Sequence, residues 1–244
     1  MRYFVHLAYK GTRFSGWQRQ PEDLSVQEQI EKAFATILRE SVELVGCGRT
    51  DAGVHASHYT AHFDFEGVLP SAFIERLNKL VGSDIAIKGI ETVGRGLHAR
   101  FGARKRSYEY HITFLKNPFA QETEWLYPYP KENLNFVAMQ QAATLLLAYS
   151  AFAPFCKTHS DALTMECQMT RSEWVFSEGK AVYHISANRF LRGMVRLIVG
   201  MCLNVGLGKV GLEEVREALE EQTPLKMSYS VPPNGLYLTE VNYK

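Results

Sequence analysis

The chain has 244 residues, and its 27 Lys and Arg against 26 Asp and Glu leave a formal charge of +1. With 46% hydrophobic and 22% charged residues it has the balance of a globular protein, which excludes a basic tail, an acidic disordered segment, collagen and a coiled coil. No apolar run reaches the roughly 18 residues of a membrane helix, and MRYFVHLAYK alternates in polarity where a signal peptide would be uniformly apolar, so a cytoplasmic protein is expected.

Residues 2–9 alternate with the two-residue period of a strand, and the Gly- and Pro-punctuated KGTRFSGWQRQP follows as a loop. Ser25 and Glu28 have the spacing of a capping box, ahead of Val26, Ile30, Phe34 and Ile37 at helical intervals. A short strand is expected at 42–45. From His58 to Phe65 the pattern alternates again, with Tyr59, Ala61, Phe63 and Phe65 on one side and His58, Thr60, His62 and Asp64 on the other. Pro70 suits the first turn of a helix, with Phe73, Ile74 and Leu77 as its apolar side, and 85–93 reads as a further strand.

The second half begins with a strand at 107–114, and a Pro-rich connection leads to a helix near 134–148. Residues 170–176 and 181–187 read as a hairpin turning at Ser-Glu-Gly-Lys, followed by a helix from about Arg189, an acidic helix from Leu212 and a last strand at 236–242. Each half is roughly β-α-β-β-α-β, the split βαβ pattern. The expectation is an α+β protein of two similar halves, 1–104 and 105–244. They would form a mixed, largely antiparallel sheet, with helices on one side and an open surface on the other.

The stretch GCGRTDAGVHA concentrates Arg49, Asp51 and His55 among three glycines in a loop between strands. Glycines that permit positive φ can present such side chains at a sharp turn, although composition alone favours a plain tight turn with a surface ion pair. A phosphate cradle fits poorly, because Asp51 stands where G-x-G-x-x-G needs its third glycine. Between Arg95 and Tyr108 the chain carries Arg95, Arg100, Arg104, Lys105 and Arg106 with no acidic residue, beside the aromatic strand Ser107-Tyr108-Glu109-Tyr110. That pairing suits phosphates and a stacked base, and equally a solvated positive edge. Arg189, Arg192 and Arg196 fall at i, i+3 and i+7 of the expected helix, and the apolar flank around Arg196 suggests partial burial beside a carboxylate. These basic regions are offset by Glu213, Glu214, Glu217, Glu220 and Glu221, so near-neutrality is a sum over unlike regions.

The four cysteines, Cys47, Cys156, Cys167 and Cys202, form no C-x-x-C pair and are expected as reduced thiols. Cys156-Lys157-Thr158-His159 is the best metal candidate, yet it lacks the four-ligand set of a structural zinc site. A serine hydrolase lacks its G-x-S-x-G elbow, and Ser15 in F-S-G-W reads as a turn residue.

Taken together and in order, YKGTRFSGWQRQP, SVQEQIEKAF, GCGRTDAGVHA, LHARFGARKRSYEYHI, NRFLRGMVRLIVG and NGLYLTEVNY resemble the tRNA pseudouridine synthase A family nearly end to end. The resemblance implies a homodimer of two-part α+β subunits with a basic RNA-binding cleft. It also implies isomerisation of uridine to pseudouridine at positions 38, 39 and 40 of the tRNA anticodon stem-loop. Asp51 resembles the family's catalytic aspartate, Arg196 the arginine that pairs with it, and Tyr108 the tyrosine that packs on the uracil. Arg49 resembles the residue that helps displace the base, and Leu236 a pocket-lining residue, while Arg104 and Arg106 belong to the substrate-binding stripe. No metal or organic cofactor is implied, since isomerisation needs neither redox chemistry nor an energy source. Two segments depart from the family. Residues 78–82 read Asn-Lys-Leu-Val-Gly where N-x-N-L-P is common, and 151–155 read Ala-Phe-Ala-Pro-Phe where D-F-S-S-F is common.

Overall fold

A computed structural model describes residues 1–157 and 163–243. Thr158 and His159 of the metal candidate lie outside them. The chain is an α+β protein with mixed, largely antiparallel pairing, and it divides into two compact units, residues 1–104 together with the last strand from Tyr237, and residues 105–236.

The first unit runs β1 (Arg2–Tyr9), α1 (Val26–Leu38), β2 (Val45–Gly46), β3 (His55–Asp64), α2 (Phe73–Leu80) and β4 (Ile85–Val93). β1 lies antiparallel between β3 and β4. On the other edge of β3, β2 pairs at Ala61 and His62 and the final strand pairs in parallel at His55 and Ala56. Burial of Val26, Ile30, Phe34 and Ile37 packs α1 onto the strands, with Phe34 edge-on to Phe63 and to Phe73 of α2. Ser25 caps α1, its side chain accepting the Glu28 N–H at 3.2 Å, as the S-x-x-E spacing predicts.

Three expectations in this unit need correction. The strand expected at 42–45 is reduced to Val45–Gly46, because α1 side chains take Leu44's backbone: Glu31 accepts its N–H at 2.9 Å and Gln27 donates to its carbonyl at 3.0 Å. Pro70 does not open α2. Ala72, at φ 53°, is the left-handed residue that precedes Phe73, so residues 70–72 cannot be its first turn. Nor is one face of β3 bare, since Thr60 and His62 are as buried as Tyr59 and Phe63. The cover comes from far along the chain, where Ala99 N–H donates to His62 Nδ1 at 3.1 Å and Tyr243 packs on Phe4.

The second unit contains β5 (Lys105–Thr113), β6 (Trp125–Leu126), α3 (Phe136–Leu145), β7 (Met169–Ser177), β8 (Lys180–Ala187), α4 (Met194–Gly206) and α5 (Leu212–Glu221). β8 lies antiparallel between β5 and β7, and β6 adds in parallel to β5. The hairpin turns at Glu178-Gly179, with Gly179 at φ 81°. β9 (Leu236–Asn242) closes the chain. The helix expected from Arg189 begins only at Met194, after Gly193 at φ 71°. Arg189 and Arg192 therefore lie before α4 and share no helical face with Arg196. The backbone there is committed elsewhere, because Lys157 N–H donates to the Arg192 carbonyl and Asn188 Oδ1 caps the N–H groups of Gln168 and Arg189.

Candidate active site

Asp51 sits in the loop between β2 and β3, half-buried, with Arg49 exposed beside it. The loop is interlocked with a second one, Gly11–Trp17, which precedes α1 in the sequence. Trp17 N–H reaches the Thr50 carbonyl at 3.4 Å, Gly53 N–H reaches the Phe14 carbonyl at 3.2 Å, and Gly11 N–H donates to His55 Nδ1 at 2.9 Å. Tyr9 bonds the Thr50 hydroxyl at 2.8 Å, and Tyr59 donates to the Gly48 carbonyl at 2.5 Å. Trp17 and Tyr59 stack at 4.0 Å beneath the turn. The contact is close enough that glycine is required. Gly16 has φ 93°, and a Cβ there would collide with the Thr50 carbonyl oxygen. Asp84 in turn holds the Gly11–Trp17 loop by pairing with Lys10 and Arg13. Within the segment lacking Leu-Pro, Asn78 pins β4 by bonding both backbone groups of Ile87.

The basic segment leads out of β4. Arg95 pairs with Glu66, Arg104 is exposed and its N–H joins the Asn242 carbonyl at 2.8 Å, and Arg2 donates to the carbonyls of Arg95 and Leu97. Beneath it, burial, then Arg2 and His98, hold the His62 imidazole down at about 4, against 6.5 for a free histidine. The unfolded chain therefore holds the extra proton between those values, and the fold loses stability as pH falls from 6.5 to 4. Thermal melts across that window should show a loss on the order of 2 kcal/mol in the wild type. His62→Gln should flatten the slope, and an unchanged slope would clear His62.

In the second unit Tyr108 on β5 meets the Phe190 ring edge-on at 5.1 Å, and Arg106 is buried with its guanidinium on the Asn188 carbonyl at 2.9 Å. Arg196 stands half-buried in the first turn of α4. Its Nε donates to the Val231 carbonyl at 2.7 Å, and its own carbonyl accepts the Val231 N–H at 3.3 Å. Close approach of that segment depends on Gly200, where a Cβ would collide with the Tyr229 carbonyl oxygen. Tyr110 donates to the Pro232 carbonyl at 2.7 Å, and burial raises its hydroxyl well above the ordinary tyrosine range while Arg196 opposes the shift. Leu236 is buried at the end of this unit. Arg196→Ala removes a charged donor from a partly buried carbonyl and should lower stability by about 2 kcal/mol. Arg196→Lys, lacking Nε, should recover little of it; a wild-type melting temperature for Arg196→Ala would remove the tether from the account.

Spacing did not disclose the bracing residues Gly16, Trp17, Thr50 and Tyr59. A glycine before a tryptophan within F-S-G-W was the available signal, and it reads only as a turn. Among the described residues no group of three or more His, Cys, Asp or Glu is arranged to hold a metal, and Cys47, Cys156, Cys167 and Cys202 form no disulfide. No helix of the described residues is long and apolar enough to cross a membrane.

Residues 142–244 match the family described as tRNA pseudouridine synthase. Curated relatives match over nearly the whole chain. A tRNA pseudouridine synthase A of Azobacteroides pseudotrichonymphae genomovar. CFP2 is 42% identical over 243 residues, spanning 99% of this chain and 96% of the relative. Its counterpart from Bacteroides fragilis is 44% identical with the same coverage, and that of the more distant Caldicellulosiruptor bescii is 34% identical over 97% of each chain.

Proposed function

The chain belongs to the tRNA pseudouridine synthase A family, and on that premise we propose that it isomerises uridine to pseudouridine at positions 38, 39 and 40 of the tRNA anticodon stem-loop. The observation that carries this reading is the full-length identity to relatives of that name. The glycine-braced presentation of Asp51 is what such chemistry requires of a carboxylate.

The N1–C1′ bond of the uridine breaks, the uracil turns, C5 bonds to C1′, and the C5 proton is lost as N1 gains one, so the product is an isomer. A base in a stem-loop must leave its stack before this can occur. Asp51 acts as the carboxylate that drives glycosidic cleavage, and Arg196 is its counter-charge. Tyr108 packs on the uracil and takes the C5 proton. Arg49 helps displace the base, Leu236 lines the uracil pocket, and the exposed Arg104 serves the phosphates, whereas the buried Arg106 is committed to the Asn188 carbonyl. The enzyme works as a homodimer in the cytoplasm, without metal or organic cofactor.

Mapping pseudouridine in an unmodified tRNA transcript after incubation with the protein tests the positions. Pseudouridine confined to 38–40 is expected. Modification elsewhere, with those positions untouched, would overturn the site assignment while leaving the reaction class intact.

A further inference from the structure

Phe101 is 78% exposed. A lone exposed apolar side chain is ordinary; the framework that holds this one out is not. His98 Nδ1 accepts the backbone N–H groups of Arg100 at 3.1 Å and Phe101 at 3.3 Å. Gly102 N–H closes the turn on the His98 carbonyl at 2.8 Å, and a Cβ at Gly102 would stand 2.8 Å from that oxygen, so the turn needs glycine. Its base is tied by Ala99 N–H on His62 Nδ1 at 3.1 Å, by the Tyr243 hydroxyl on the Ala99 carbonyl at 2.8 Å, and by Arg104 N–H on Asn242. On this frame the Arg100 guanidinium lies 5.5 Å from the Phe101 ring centre, and the His98 ring lies 4.5 Å from it.

A rigid, solvent-facing ring beside a cation, in a segment rich in arginine, has the chemistry of a nucleobase-stacking platform: the base meets the π-face and the cation meets the phosphate. We infer that Phe101 and Arg100 form such a platform for an unpaired nucleotide of the tRNA, other than the uridine assigned to Tyr108. The inference rests on the tRNA substrate proposed above. Preorganisation is what makes the contact useful, because an already ordered loop loses little entropy on binding.

The test is filter binding and steady-state kinetics with an unmodified tRNA transcript. Phe101→Ala should raise Kd and KM about tenfold, as expected for one stacked base, with an unchanged melting temperature. Phe101→Tyr and Phe101→Trp should restore both constants, and Phe101→Leu should not. Wild-type affinity in Phe101→Ala, or in Phe101→Leu, would overturn the platform, as would a change of oligomeric state in Phe101→Ala, which would make the ring a contact between copies of the chain. An active wild type indifferent to Phe101 would sink the platform alone. Phe101-dependent tRNA binding without pseudouridine formation would sink the catalytic reading and leave the platform standing. A wild type that binds no tRNA would sink both.

Discussion

Asp51→Asn should form pseudouridine slower than wild type by on the order of 10³ to 10⁴-fold in single-turnover reactions, the scale on which loss of a central catalytic group is felt. The substitution keeps the size of the side chain and removes the charge, so a loss of that size isolates the role of the carboxylate. The loop is held chiefly through backbone and aromatic groups, namely Thr50 to Trp17, Gly53 to Phe14, Gly48 to Tyr59 and Gly11 to His55. The variant should therefore melt like wild type and bind tRNA with similar affinity. Turnover within tenfold of wild type would remove Asp51 from the catalytic role.

Gly16→Ala should lower the rate about 100-fold without touching a group assigned to the reaction. The backbone at φ 93° is strained for any L side chain, and a Cβ would collide with the Thr50 carbonyl, one residue before Asp51. Relief requires the Asp51 loop and the Gly11–Trp17 loop to separate. A displacement of about 1 Å at a reacting group costs on the order of 10²-fold. Overpacking adds a stability loss of about 1–3 kcal/mol. The two effects are separable, because a temperature well below the melting transition leaves only the rate effect. A rate near wild type there would mean that Asp51 does not depend on the interlock.

Most of the framework was legible along the chain. β1 occupies the span that alternation marks, β4 and β9 fall where strands are expected, and the Ser25 cap and the Gly179 turn follow from residue chemistry that acts within a few positions. What escaped was set by distant partners. The segment before α4 has apolar spacing suited to a helix, yet Asn188, Gly193 and the contact with Lys157 hold it open. Burial of His62 depends on His98 and Ala99, which no local pattern in β3 can announce. The same holds for the site. GCGRTDAGVHA marked the loop, whereas the partnership of Gly16 with Thr50 spans the length of α1 and appears only in the fold.

The decisive measurement is tritium release from tRNA labelled at uridine C5, because joining C5 to C1′ expels the C5 hydrogen. Purified wild-type protein, with no cofactor added, should release tritium in proportion to the pseudouridine formed in the anticodon stem-loop. No release from a tRNA that the protein demonstrably binds would contradict the account.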